Sequence, residues 1–265
     1  EALYNMPTPG FVPEHLDAVV LAIVESVCNA WHQRQATDIA ITTIQFDAAT
    51  PVAWNRSIQA YNRNPDVIPR SAEDTHLALN REMQLIGFYR QNQLQSFISF
   101  FGVHASCLGN TLKAYDDDNK GYAASLSEAF LTQQGVINPV TIFAQTTAGD
   151  VSPHFHGQHQ QKVRNQIKGE HEYQYAEQNG RYQSDLALRA FAQPLNMIEG
   201  EIDALCSYID LSDIEIPTEF SQGVVGAKTS QPCHGQAFFV GTPVDGHGAP
   251  KIITQSMSLL AQWVK

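Results

Sequence analysis

The sequence is poor in basic residues and in long apolar runs, and each shortage excludes a class of protein. Only 16 of the 265 residues are Lys or Arg, against 27 Asp or Glu, so the formal net charge is −11. An acidic surface repels phosphate backbones, and we therefore expect no nucleic-acid partner. The longest apolar run, residues 18–24, is far too short to span a bilayer.

Cysteine and targeting signals are also scarce. The chain has four cysteines, Cys28, Cys107, Cys206 and Cys233, and none forms a C-x-x-C pair. This spacing argues against a structural zinc knuckle and leaves buried thiols and disulfides as alternatives. Residues 1–10 have no charged segment followed by an apolar stretch, so we expect no signal peptide there. A mature or truncated start would look the same, so export stays open.

The pattern of apolar and breaking residues predicts alternating helices and strands. Helices are predicted from Pro13, with an apolar stripe to Trp31, and over 121–132, ended by Gly135, and 181–195. Strands are predicted over 38–46, 77–89, 96–104, 139–145 and 201–216. Residues 54–70 and 154–180 are predicted to be an ordered loop and a polar surface excursion. The order favours a layered α/β fold, with mixed sheets flanked by helices and no clear domain boundary in 1–265.

Two predicted strands deliver chemically capable residues at their ends. The first ends in His104, and the second leads into a turn, residues 146–154, that contains Ser152. Reactive groups often follow buried strands, because a rigid sheet can aim a loop. Each residue also has an ordinary interpretation: Ser152 as a turn cap and His104 as a satisfied core residue. Arg56, in the polar loop, is by default a solvated surface charge.

Several segments gain meaning from their order and separation along the chain. They are Asn55-Arg56-Ser57 with Ala60-Tyr61 and Asn64-Pro65; Phe101-Gly102-Val103-His104; Asp118-Asn119-Lys120-Gly121-Tyr122-Ala123; and Phe143-Ala144-Gln145 with Gly149-Asp150-Val151-Ser152-Pro153. Together they resemble motifs of the neutral/alkaline (non-lysosomal) ceramidase family. Gly241-Thr242 with Asp245-Gly246 resembles a later family turn, so the likeness covers nearly the whole chain.

The resemblance implies roles for three residues. Ser152 matches the catalytic serine, Arg56 the arginine beside it, and His104 a zinc ligand. The implied chemistry is coherent, because amide cleavage builds negative charge on the carbonyl oxygen, which a guanidinium or Zn²⁺ stabilises. Whether the serine or a zinc-bound water attacks first stays open.

The chain also departs from the family pattern. The family's other zinc ligands, one histidine upstream and a later glutamate and tyrosine, have no match here, and a catalytic zinc needs about three protein ligands. We therefore expect the remaining ligands outside this chain, which would be an internal part of a larger zinc hydrolase catalytic domain lacking its N- and C-terminal portions. Gly102 stands where the family has alanine, and His154 where it has asparagine.

The resemblance leads to one functional hypothesis and one competitor. The first is an enzyme that hydrolyses the N-acyl amide of ceramide or a related lipid, releasing fatty acid and sphingoid base. Its expected partners are the lipid substrate, a membrane surface contacted peripherally and the missing remainder of the domain. The family implies a secreted, periplasmic or cell-surface location. The competitor is a non-catalytic fragment or degenerate relative that binds lipid or a partner chain.

Three further patterns have simpler explanations. His154, His156 and His159 invite a metal interpretation, but they lie in a predicted polar loop that the family does not use. Residues 116–121 begin like a calcium loop, yet Lys120 stands where a ligand is required. Asn55 begins a glycosylation sequon, which is common by chance.

Overall fold

The architecture alternates helices with short strands. The computed structural model describes residues 11–109, 112, 114–154 and 166–231. The helices are α1 (Pro13–Gln33), α2 (Ile58–Tyr61), α3 (Asp118–Gln133) and α4 (Glu170–Phe191). The strands are β1 (Asp38–Gln45), β2 (Trp54–Asn55), β3 (Glu82–Arg90), β4 (Gln93–Phe100), β5 (Thr141–Ala144), β6 (Val151–Ser152) and β7 (Met197–Ile198). The predicted layered α/β class is confirmed.

Helix α1 belongs to a compact unit that ends at Asp38, and the rest of the chain forms a second unit. It confirms the predicted helix, because Pro13 suits a first helical turn and apolar residues recur at helical spacing as far as Trp31. Its apolar side chains are exposed, from 40% at Val19 to 63% at Val27 and Trp31. No helix in the described ranges is both long enough and apolar enough to cross a membrane.

The second unit is built on a five-stranded sheet with the order β5-β4-β3-β1-β7. Strands β3 and β4 form a hairpin in which Arg90 pairs with Gln93. Its two turn residues, Gln91 and Asn92, both have positive φ, 50° and 62°, which matches the twist of the flanking strands. Strand β5 pairs with β4 in parallel, and the intervening helix α3 supplies the crossover.

Helices α3 and α4 pack closely against each other and on the sheet. A side chain on Gly180 would place its Cβ 2.7 Å from both the Asn119 carbonyl oxygen and Tyr122 Cβ, so only glycine permits this approach. The hydroxyls of Ser127 and Ser184 hydrogen-bond across the helix contact at 2.8 Å. The core beneath them contains the rings of Phe97 and Phe143, edge to face with centroids 5.6 Å apart.

The end of α3 behaves as predicted. Gly135 has φ 87°, its N–H donates to Thr132 O, and the next N–H, of Val136, donates to Leu131 O. These two bonds and the left-handed glycine form a Schellman motif, which satisfies carbonyls that a helix end would otherwise leave unpaired.

Several predicted boundaries were wrong. The strand predicted over 77–89 begins at Glu82, the one predicted over 96–104 ends at Phe100, and the loop 54–70 contains β2 and α2. The surface excursion 154–180 was wrong in part, since His154 is buried and α4 begins at Glu170. The strand over 201–216 was also wrong: this stretch has only an isolated bridge from Glu215 to Lys228, and its apolar side chains are exposed.

Among the described cysteines, Cys28 and Cys206 are exposed free thiols, and Cys107 is buried. Cys233, and the turns predicted at Gly241 and Gly246, lie outside the described residues.

Candidate active site

A two-stranded ladder brings the Arg56 segment beside the turn that carries Ser152. Strand β2 pairs antiparallel with β6, with Trp54 opposite Ser152 and Asn55 opposite Val151. The Arg56 N–H extends the ladder by donating to Asp150 O at 2.8 Å, and Arg56 Nη2 donates to Gly149 O at 2.6 Å. Arg56 and Gly149, which are 93 residues apart in the sequence, thus become neighbours.

His104 reaches the same turn from the sheet. Its backbone N–H donates to Val151 O at 3.3 Å, and its ring Nδ1 lies 2.7 Å from the same oxygen. Because a carbonyl only accepts, Nδ1 carries a proton, and in the neutral imidazole the lone pair is then on Nε2. Metal-binding histidines commonly show this arrangement, in which the second nitrogen donates to a carbonyl.

The side chain of Gln145 fixes the residue before His104. Its Oε1 accepts from Val103 N at 3.0 Å, and its Nε2 donates to Val103 O at 2.7 Å. The amide therefore replaces a strand neighbour just beyond the end of the parallel pair β4–β5. Next to it, a Cβ on Gly102 would lie 2.5 Å from Thr147 O. The backbones at Gly102 and Thr147 therefore approach too closely for a side chain at residue 102.

Ser152 occupies a tight, buried turn. It is 0% exposed, and its Oγ accepts the N–H of His154 at 3.1 Å. The bond to His154 N is the turn-capping contact that the ordinary interpretation of Ser152 expects. Its assignment as nucleophile stays a prediction, as do the roles of Arg56 and His104.

The sequence did not predict that two further residues, Asn55 and His154, hold the Ser152 turn in place. Asn55 is 1% exposed, its Nδ2 donates to Asp150 Oδ2 at 2.6 Å and to Ala78 O at 2.9 Å, and its Oδ1 accepts Ser57 N. Asn55 therefore locks the 149–152 turn against β2, and its burial is incompatible with glycosylation in the folded chain. The only signal was its place in the Asn-Arg-Ser segment.

The second missed residue is His154. Its Nε2 donates to Ser106 O at 2.9 Å, and its ring stacks on Tyr175 with centroids 4.9 Å apart. The Tyr175 hydroxyl in turn donates to Pro153 O. His154 thus joins the Ser152 turn to the loop that follows His104. His156 and His159 lie outside the described residues.

A cavity of about 350 Å³ opens beside the 149–152 turn. It is lined by Tyr61, Ala78, Leu79, Asn80, Thr147, Gly149, Asp150 and Val151. One lining residue, Gly149, accepts the hydrogen bond from Arg56 Nη2. A substrate group could approach the turn from this cavity.

His104 is the described residue that the resemblance marks as a metal ligand. Within the ranges given above, no group of three or more His, Cys, Asp or Glu side chains is arranged to hold an ion. His104 fits zinc by its tautomer, and it could supply one of the three ligands that a catalytic zinc requires.

The family of the chain follows from comparison with known proteins. The model of the family described as neutral/alkaline non-lysosomal ceramidase, N-terminal, matches residues 1–265. The chain belongs to this family. The neutral ceramidase of Pseudomonas aeruginosa is 27% identical over 93% of this chain and 35% of its own length. Neutral ceramidase B of Dictyostelium discoideum is 25% identical over 94% of this chain and 37% of its own length.

The fold agrees with the family assignment. The crystal structure of the Pseudomonas aeruginosa neutral ceramidase matches 84% of this chain and 33% of that one, with a TM-score of 0.68 and 26% identity. A second structure, described as a ceramidase complexed with C2, matches 84% of this chain with a TM-score of 0.67 and 26% identity. The chain spans about a third of the length of the ceramidases that it matches.

Proposed function

We propose that the protein containing this chain hydrolyses the N-acyl amide of ceramide or a related lipid, with zinc, to a fatty acid and a sphingoid base. The observation that carries the proposal is the convergence of two motif segments, those of Arg56 and His104, on a third, residues 149–152. Arg56 holds Gly149 and Asp150, and His104 holds Val151, next to Ser152. Family membership supports the reaction class.

Each residue has a proposed part that its chemistry allows. Ser152 supplies a hydroxyl as nucleophile or as an assisting hydrogen-bond partner. Arg56 stabilises the charge that develops on the substrate carbonyl oxygen. His104 offers Nε2 to zinc, which when bound polarises a carbonyl and lowers the pKa of a bound water. We place the other zinc ligands outside this chain.

The proposal is tested by Ser152→Ala in the complete protein. We expect amide hydrolysis, measured as fatty acid released from a short-chain ceramide, to be abolished while the melting temperature stays close to that of the parent. The matched control is Ser99→Ala, because Ser99 is equally buried, lies on β4 and has a hydroxyl without a hydrogen-bond partner among the described atoms. Retained turnover in Ser152→Ala would remove the serine from the mechanism.

A non-catalytic module remains the second candidate, and the burial of Ser152 favours it. In this candidate the protein binds lipid or a partner chain without turnover. Zinc analysis separates the two: about one zinc per purified complete protein supports the enzyme, and no zinc supports the module.

The membrane contact follows from the proposed substrate, and the location follows from the family resemblance. Ceramide resides in lipid, so we propose peripheral contact with a membrane surface. We also propose the secreted, periplasmic or cell-surface site of action that the family implies. Fractionation of the native cells, with the protein followed by antibody, tests the location. Recovery in the cytosol alone would contradict it.

A further inference from the structure

The beginning of α3 holds the loop that carries His104, here called the His104 loop and defined as residues 101–109. The first contact is the carboxylate of Asp118. Its Oδ1 accepts Cys107 N at 3.1 Å and its Oδ2 accepts Leu108 N at 2.8 Å. Asp118 is 4% exposed and has φ 53°, an uncommon value for a residue other than glycine. These bonds fix the second half of the His104 loop to the helix.

The second contact comes from the next residue and reaches His104 itself. Asn119 Nδ2 donates to His104 O at 3.0 Å, and Asn119 is 0% exposed. The same amide nitrogen lies 3.5 Å from Cys107 Sγ. Val151 O thus binds the His104 N–H and Nδ1, while Asn119 binds the His104 carbonyl oxygen.

The Asn119 side chain forms its hydrogen bonds through Nδ2, its donor nitrogen. Its Oδ1 is buried and has no hydrogen-bond partner among the described atoms. A buried amide oxygen without a partner costs about 1–3 kcal/mol, so this side chain is not what a stable core alone would favour. We infer that asparagine occupies this position because its Nδ2 donates to His104 O.

The third contact comes from Lys120. Its Nζ donates to Phe101 O at 2.9 Å and to Gln183 Oε1 at 3.0 Å. Both partners are neutral, and burying an ammonium group against neutral partners is costly. Violations of ordinary core composition are expected where a structure serves a site. Consecutive side chains of α3 therefore bond the start, the centre and the end of the His104 loop.

We propose that Asp118, Asn119 and Lys120 position His104, and that Asn119 is the residue that sets its orientation. Asn119 is a positioning residue, since its contact is with the His104 carbonyl. The inference rests on the proposed role of His104 as a zinc ligand. Metal ligands lose affinity by roughly 10- to 100-fold when a residue that orients them is removed.

The test is Asn119→Asp in the complete protein, because aspartate keeps the shape and removes the donor. We expect zinc affinity, measured by competition with a chelator, to fall roughly 10- to 100-fold. In zinc-free protein labelled with ¹⁵N-histidine, the side-chain spectrum should show His104 shifting from the single Nδ1–H tautomer to a mixture. If Asn119→Asp does not fold, Asn119→Ala decides the matter by the same two measurements, since it removes the donor without burying a carboxylate.

The matched control is Ser127→Ala. Ser127 lies on the same helix, is equally buried and loses a hydrogen bond to Ser184 rather than to the His104 loop. It should lower the melting temperature while zinc affinity and the His104 tautomer stay unchanged. Unchanged affinity and tautomer in the Asn119 variants, or equal changes in Ser127→Ala, would overturn the inference. A parent protein that binds no zinc would instead overturn the proposed function.

Discussion

The imidazole Nδ1 of His104 and the carbonyl oxygen of Val151 lie 2.7 Å apart. The ring of His104 therefore contacts the residue that directly precedes Ser152. The bond connects the end of the sheet directly to the turn. A displacement of that turn therefore moves the proposed zinc ligand and the proposed nucleophile together. The same turn is held from its other side by Arg56 and Asn55.

Arg56→Lys should reduce turnover much more than stability. Lysine keeps the charge but loses the planar fork that reaches Gly149 O while presenting further donors. We expect kcat to fall by about 10²-fold, as for removal of one oxyanion donor. The measurement is steady-state kinetics with thermal melting. Arg90→Lys, at the hairpin end of β3, is the control and should leave kcat unchanged; an equal loss in both variants would contradict a role for Arg56.

Gly102→Ala should destabilise the chain. The new Cβ would lie 2.5 Å from Thr147 O and 3.0 Å from Thr146 Oγ1, so a backbone segment must move. We expect a loss of about 1–3 kcal/mol in the free energy of unfolding, the range for overpacked sites. Urea titration measures it. Gly149→Ala is the comparison, because its Cβ would meet nothing within 4 Å, and a neutral Gly102→Ala would show that the loops adjust freely.

Gly180→Ala sets two effects of opposite sign against each other. Alanine favours a helix over glycine by about 1 kcal/mol. Its Cβ would however lie 2.7 Å from Asn119 O and 2.8 Å from Ala123 N, which forces α3 and α4 apart. Since overpacking costs about 1–3 kcal/mol, we expect net destabilisation of about 1 kcal/mol. A rise in the urea midpoint would show that the helix contact is looser than the structure has it.

Lys120 should make stability depend on pH. Burial lowers the pKa of Lys120 to about 7 from its ordinary 10.5. Between these values the unfolded chain binds a proton that the folded chain does not, so the free energy of unfolding rises with pH by up to about 1.4 kcal/mol per unit. Below pH 7 both states are protonated, and this contribution is constant.

The variant Lys120→Met should flatten the pH dependence between pH 7 and 10.5. Urea titrations at intervals of one pH unit measure the slope. Lys168→Met, at an exposed position, is the control and should keep the slope of the parent. If Lys120→Met and Lys168→Met show the same slope, the ammonium of Lys120 is not desolvated in solution.

Patterns of apolar residues predicted the elements whose buried faces are apolar, and they failed where the buried face is polar. The missed part of helix α4, before residue 181, buries the polar residues Glu172 and Asn179 beside Ala176, so it resembled a surface loop. The stretch 201–216 shows the opposite failure. Within the described ranges no strand neighbours its alternating apolar residues, and alternation alone does not make a sheet.

The candidate site was predictable only through motif order. Nothing local to Arg56 or His104 indicates that both meet the 149–152 turn, since the partners lie 93 and 47 residues away along the chain. Asn55 and His154 were missed as participants for the same reason. Their contacts join segments that no periodicity relates.

The two-residue turn at Gln91 and Asn92 closes a much shorter loop than the contacts around Ser152 do. A tight two-residue turn lets β3 and β4 pair locally, and hairpins form in about 1–10 μs. The contacts around Ser152 close loops of tens of residues, so they form after local structure has reduced the entropy of closure. A partly folded molecule therefore carries Arg56, His104 and Ser152 without the arrangement on which the proposed chemistry depends.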